Sequence, residues 1–248
     1  MDKRPEWFGK LEWLKKLKQV IYPRKCILCG EILNKLELGS LCEKCTPYLL
    51  KDHICPKCGR PYHLGEERCL ICGRLDLTHI ERIIALFPYK EVCRESVLRW
   101  KYKGIRQYAK EYARLFINEV GLLEKMQVDG LVPVPLAPNR LSKRGFNQAL
   151  DLANEIYTLT GIPVYDCLER TKKTKPQSQC SREERLKNIT GSIKFKHSTN
   201  YYPELKQVAI IDDIYTTGAT IRECIKVIKE NLRLKNDNVY VIIVCIGK

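Results

Sequence analysis

Two groups of residues in this sequence have types and spacing that could do chemistry. The first is a set of cysteines. Eight of the thirteen fall in four Cys-x-x-Cys pairs before residue 73: Cys26/Cys29, Cys42/Cys45, Cys55/Cys58 and Cys69/Cys72. A two-residue gap lets two thiolates grip one metal ion from a tight turn, and two such pairs complete a closed tetrahedral site. Four thiolates leave no position for a substrate, so the chemistry is structural zinc, in one or two sites. Gly30, Gly59 and Gly73 follow three of the pairs and permit the backbone such turns need. The pairs can combine sequentially, as 26/29/42/45 and 55/58/69/72, or interleaved, as 26/29/55/58 with 42/45/69/72. Shorter loop closure favours the sequential arrangement. A redox role for the pairs would need a thioredoxin-like context, which four copies in a row do not suggest.

The second group is the run Asp212-Asp213-Ile214-Tyr215-Thr216-Thr217-Gly218-Ala219-Thr220, which follows the apolar stretch Val208–Ile211 and precedes a helical pattern. In an open parallel sheet, ligands bind beyond the carboxyl ends of the strands. The start of the next helix offers unsatisfied N–H groups and a positive dipole end to an anion. Thr216, Thr217 and Thr220 add hydroxyls, and Gly218 with Ala219 lets the backbone curl close to a phosphate. Asp212 and Asp213 would repel that phosphate unless the ligand has two ends. A sugar phosphate has two ends: its phosphate sits on the turn while adjacent hydroxyls donate to the carboxylates. Mg²⁺ is the hard cation that could bridge them. The sequence lacks the Gly-Lys-Ser/Thr of a P-loop and a G-x-G-x-x-G after a strand. This run therefore reads as a ribose 5-phosphate site.

The elements that must position these groups follow from apolar periodicity. Strands are expected at Ile83–Phe87, Leu131–Val134, Val208–Ile211 and Val239–Ile246. Helices are expected over Glu95–Glu119, broken near Lys103-Gly104, and over Asn147–Thr160 and Ile221–Leu232. Apolar runs alternating with helices imply an α/β domain, a parallel sheet with helices on both faces. Residues 170–190 are polar and basic and read as a long loop or mobile hairpin. Residues 24–75 have little apolar periodicity, so metal must substitute for a core there. Residues 6–21 read as an amphipathic helix, with Trp7, Leu11, Leu14, Leu17 and Ile21 on one stripe. That stripe fits docking on the protein body, and its flanking lysines also fit a membrane surface. The expected organisation is thus a helix at 1–23, a double zinc-ribbon module at 24–79 and an α/β domain at 80–248.

Charge narrows the partners. The formal net charge is +15. Eight thiolates on two Zn²⁺ would add −4 and leave it near +11, still suited to polyanions. Residues 94–114 carry seven basic side chains interleaved with Trp100 and Tyr102. Those cations could track a single-stranded nucleic acid backbone, with Trp100, Tyr102 or Phe146 as stacking platforms. No run of 18 apolar residues and no export signal is visible, so a cytosolic protein is expected.

Val208–Thr220 resembles the signature for 5-phosphoribosyl-1-pyrophosphate (PRPP) in type I phosphoribosyltransferases. More narrowly, the chain resembles the ComF family (the ComFC/GntX type), which is linked to DNA uptake in competent bacteria. Val132-Pro133-Val134-Pro135-Leu136, Arg144-Gly145-Phe146-Asn147-Gln148 and Ser181-Arg182-Glu183-Glu184-Arg185 carry the likeness, together with the cysteine knuckles. The resemblance implies a type I phosphoribosyltransferase-like fold with an N-terminal zinc module. It implies that Arg140 and Arg144 flank pyrophosphate, and that residues 170–187, with Arg182, close over PRPP. Three roles remain open on this basis. The first is a competence protein that binds single-stranded DNA and retains a PRPP pocket. The second is a transferase moving phosphoribose from PRPP to a nitrogen nucleophile, with Asp212 and Asp213 as catalytic groups. The third is a scaffold for an uptake helicase or membrane machinery. No general base is identifiable.

Overall fold

The computed structural model describes residues 23–34, 39–52, 54–62, 69–171, 189–196 and 202–247. The helix expected at 6–21, most of the 170–190 loop and Arg182 lie outside them. The chain separates into two compact units, Met1–Pro47 and Tyr48–Lys248. The smaller unit contains Cys26, Cys29, Cys42 and Cys45. The other four paired cysteines belong to the larger unit.

The larger unit is built on four parallel strands. They are β1 (Ile80–Pro88), β2 (Gly130–Pro133), β5 (Val208–Tyr215) and β6 (Val239–Ile246), in the order β1-β6-β5-β2. The central strand β6 reads Val-Tyr-Val-Ile-Ile-Val-Cys-Ile and is buried along almost its whole length. A strand covered on both faces needs such a run, and parallel neighbours need helical crossovers. Helices α1 (Glu91–Lys103), α2 (Gln107–Asn118) and the single turn α3 (Leu122–Lys125) connect β1 to β2. Gly104 ends α1 in the left-handed region at φ 65°, which gives the break expected near residue 103. Next come α4 (Pro138–Arg144) and α5 (Gln148–Thr160). The Asn147 side chain caps α5 by accepting from the Ala149 amide at 3.1 Å, and Gly161 closes it at φ 75°. Helix α6 (Ala219–Asn231) joins β5 to β6.

Periodicity did not reveal two features. Strands β3 (Leu168–Arg170) and β4 (Ile193–Phe195) form a separate antiparallel pair, each too short to show alternation. Residues 168–170 and 193–195 are therefore extended and paired at the two ends of the segment read as a loop or hairpin, where no strand was assigned. In addition, β5 runs on to Tyr215, four residues past its expected end. Strand β6 keeps pairing with it, as far as Tyr215 opposite Ile246, whereas β2 pairs only as far as Pro133 opposite Ile211. From Asp212 onward, the edge of β5 that faced β2 is open.

Candidate sugar-phosphate site and metal centres

That open edge is one wall of a cavity of about 670 Å³. Asp212, Asp213, Thr216 and Thr220 line it from β5 and the turn beyond. Arg140 and Arg144 line it from α4, which Pro138 starts at its first turn and Gly145 ends at φ 78°. Of the residues read from the sequence as sugar-phosphate or pyrophosphate contacts, these six share one space. Thr217, Gly218 and Ala219 form the body of the turn behind it. Gly218 sits at φ 74°, and a Cβ there would collide with the Tyr215 hydroxyl, so this position tolerates only glycine. The Thr217 carbonyl accepts from Arg222 Nη1 at 3.0 Å, which holds the turn from its rear. Among the described residues, no backbone acceptor takes the amides of Thr216, Thr217 or Gly218. They remain available at the start of α6.

The electrostatics are divided. Burial and the neighbouring Asp213 push Asp212 up to about 7, against the pull of Lys101 and Arg170. Asp212 also accepts from the Asp213 amide at 2.8 Å. Asp213 is held by Lys101 Nζ at 2.7 Å, with both side chains mostly buried. Lys101 and Arg170 both line the cavity. In the sequence Lys101 stands in a general basic run and Arg170 at the start of the segment read as a loop or hairpin. Their common signal was only charge, and their convergence on the cavity is set by the tertiary structure.

Gln148, also in the cavity wall, is 1% exposed. Its Oε1 accepts from Arg144 Nη1 at 3.0 Å, which fixes the orientation of the amide. The Gln148 Nε2 then has no partner among the described residues. A buried donor left in this way at a cavity wall suits a ligand oxygen.

The stacking platforms need correction. Trp100 is fully buried and packs edge-on against Tyr112, with ring centroids 5.2 Å apart. Phe146 is buried too, with Arg106 over its ring at 5.7 Å. Both are buried, so neither offers a ring face to solvent. Tyr102 is 65% exposed at the cavity rim, and the Arg144 guanidinium stacks on it at 5.0 Å. Of the three aromatics it alone can meet a base.

The cysteines assemble sequentially. Cys26, Cys29, Cys42 and Cys45 form one cluster, and Cys55, Cys58, Cys69 and Cys72 form another, with the sulfurs of each set within 4.8 Å of one another. Individual gaps are 3.7 Å for Cys29–Cys42, 3.4 Å for Cys55–Cys72 and 3.7 Å for Cys58–Cys69. Zinc–sulfur bonds of about 2.3 Å in a tetrahedron put sulfurs about 3.8 Å apart, so both donor sets fit structural zinc. Burial and neighbouring sulfurs push the Cys45 and Cys72 thiols up, the penalty a bound dication reverses. Among the described residues, no helix is long and apolar enough to cross a membrane.

A parallel sheet whose carboxyl edge opens on a strand–turn–helix, joined to four-cysteine knuckles, defines a phosphoribosyltransferase-like α/β protein with a double zinc ribbon. Residues 17–95 match the family model of the double zinc ribbon domain. The chain belongs to the ComF family of competence proteins. It is 30% identical over 224 residues to competence protein ComFC of Streptococcus pneumoniae, covering 83% of this chain and 94% of the relative. It is 27% identical over 222 residues to the DNA utilization protein YhgH of Escherichia coli, covering 84% and 92%. A solved adenine phosphoribosyltransferase overlaps 60% of this chain and 75% of its own, at 13% identity and a TM-score of 0.34.

Proposed function

We propose that this chain acts in DNA uptake during transformation, binding single-stranded DNA and keeping a pocket for PRPP. The observation that carries this is the double character of the cavity. One wall presents two carboxylates, Asp212 and Asp213, and the facing wall presents Arg140, Arg144 and Lys143. A ligand bearing phosphate alone would meet repulsion from the carboxylates, and a sugar alone would leave the cations unmatched. A phosphorylated pentose satisfies both: its 5-phosphate takes the amides of Thr216–Gly218, and its vicinal hydroxyls donate to the aspartates. The pyrophosphate of PRPP then faces Arg140 and Arg144, and Mg²⁺ would share its oxygens. The volume lies within the usual range for small-ligand sites, roughly 300–1,000 Å³.

Nucleic acid would use the same mouth. Tyr102 with Arg144 offers a stacking surface next to the cations, and a strand crossing there would lay its phosphates along α1 and α4. The reading of the relatives as competence and DNA utilization proteins supports this use. A transferase reaction would use the same aspartates to stabilise positive charge at C1 of the ribose, with pyrophosphate leaving toward Arg140 and Arg144.

A single co-titration tests the reading. PRPP–Mg²⁺ and a labelled single strand each bind the purified protein, and each weakens the other because Arg144 and Tyr102 serve both. Strand affinity falls steeply with salt. Independent binding of the two would remove the shared mouth, and no PRPP binding up to millimolar concentration would remove the pocket. Release of pyrophosphate with an added nitrogen acceptor would identify a transferase.

A further inference from the structure

Arginine is almost never fully buried without partners, yet Arg60 is 3% exposed. It lies two residues after Cys58, within the knuckle of the second cluster. Its carbonyl accepts from the Cys55 amide at 2.9 Å, so its backbone is part of the metal-gripping turn. Its side chain leaves that turn. Nε donates to the Gly247 carbonyl at 2.9 Å and Nη2 to the Thr216 carbonyl at 3.4 Å. The guanidinium also lies over the Tyr215 ring, 5.6 Å from the centroid. Thr216 opens the turn beyond β5, and Gly247 follows β6, whose end is tied to β5 by the Gly247 amide donating to Tyr215 at 2.8 Å. The knuckle itself is pressed on the sheet. The Ile83 amide donates to the Lys57 carbonyl at 2.9 Å, and a Cβ on Gly59 would come within 2.5 Å of the Ile83 carbonyl.

We propose that Arg60 is a positioning residue through which the second four-cysteine cluster sets the geometry of the sugar-phosphate turn. The proposal rests on the reading of that turn as a phosphate seat. The physical logic has two parts. A guanidinium presents donors in a rigid fork, so it fixes the Thr216 and Gly247 carbonyls relative to each other and to the metal site. Because a trans peptide holds its N–H opposite its carbonyl, turning the Thr216 carbonyl toward Arg60 turns the Thr217 amide away from it. In addition, four thiolates on Zn²⁺ carry a charge of about −2. Arg60 stands between that charge and the turn, and keeps the cluster from opposing an anion there. The zinc ribbon thereby supports ligand binding without touching ligand.

The test uses the full zinc-loaded chain with Arg60→Met and Arg60→Lys. Zinc content, PRPP–Mg²⁺ affinity and single-strand affinity are measured for each. Arg60→Met should keep two zinc ions per chain and strand affinity within about twofold, and lose PRPP affinity by about tenfold or more, the scale of lost charge-assisted hydrogen bonds. Arg60→Lys, which keeps the charge but not the fork, should fall between. PRPP affinity within twofold of wild type in an Arg60→Met protein that retains its zinc would overturn the proposal. If Arg60→Met loses zinc, the same comparison on Arg60→Lys decides, with unchanged PRPP affinity overturning it. A wild-type chain that does not bind PRPP overturns the phosphate seat itself, and the proposal with it.

Discussion

Asp213→Asn weakens PRPP binding by about 30-fold or more while leaving single-stranded DNA affinity intact or slightly higher. In the free protein Asp213 is paired with Lys101 at 2.7 Å, so Lys101 occupies the place a sugar hydroxyl or a cation would take. Ligand must compete for that carboxylate, and gains two charge-assisted hydrogen bonds when it succeeds. Each such bond contributes about 1.5–3 kcal/mol, which sets the scale of the loss. An Asn at 213 frees Lys101 to turn to Asp212, so neither carboxylate remains for the diol. The same change makes the cavity one unit more positive. A phosphate backbone at the mouth therefore loses nothing, and its salt dependence steepens. Calorimetry with PRPP–Mg²⁺ and anisotropy with a labelled strand measure the two sides. Equal loss of both affinities would mean that the carboxylates hold the fold and not a sugar.

The second large effect is on stability, and its direction is unusual for an aspartate. The folded-state value of Asp212 is raised, from an ordinary 3.8 to about 7. Between those values the folded protein holds a proton that the unfolded chain has released. Its contribution to stability is therefore complete below about pH 4, declines as pH rises toward 7 and is gone above it. At about 1.36 kcal/mol per unit, the ceiling is about 4 kcal/mol. Asp212→Asn should remove this slope, leaving a protein more stable than wild type at pH 8 and close to it near pH 4. Paired denaturant melts across that range read the difference. A carboxylate kept at such a cost beside a second carboxylate suits a site that uses charge, and the stabilised Asn variant should bind PRPP poorly. Parallel melts with no change in offset from pH 4 to 8 would show that Asp212 ionises as an ordinary surface acid.

Much of this site could be read before folding because its parts are adjacent in sequence. Val208–Thr220 contains the strand, both carboxylates, the turn and the helix start in one stretch. The cysteine clusters assemble sequentially for a similar reason, since the loops between paired knuckles are short. Strand β6 was legible to the residue because a run buried on both faces has no polar interruption.

Long-range partners were not legible. The bonds of Arg60 to Thr216 and Gly247 span 156 and 187 residues, and nothing around Cys58 announces them. Lys101 was one of seven cations in its run, and only the rotation of α1 selects it for Asp213. Trp100 shows the converse. Charges flank it in sequence, yet α1 turns its ring inward and leaves Tyr102, two positions on, at the surface. The extension of β5 to Tyr215 depends on β6 continuing beside it after β2 has stopped.

The claim that one end of the site reads a vicinal diol and the other a phosphate is tested most directly with two small ligands. Ribose 5-phosphate and 2-deoxyribose 5-phosphate share the phosphate and differ at one hydroxyl. The paired aspartates should make the wild-type chain bind the ribose compound about tenfold or more tightly, and Asp213→Asn should erase that preference. Equal affinity for both sugars in the wild type, or a preference that survives Asp213→Asn, would contradict the account.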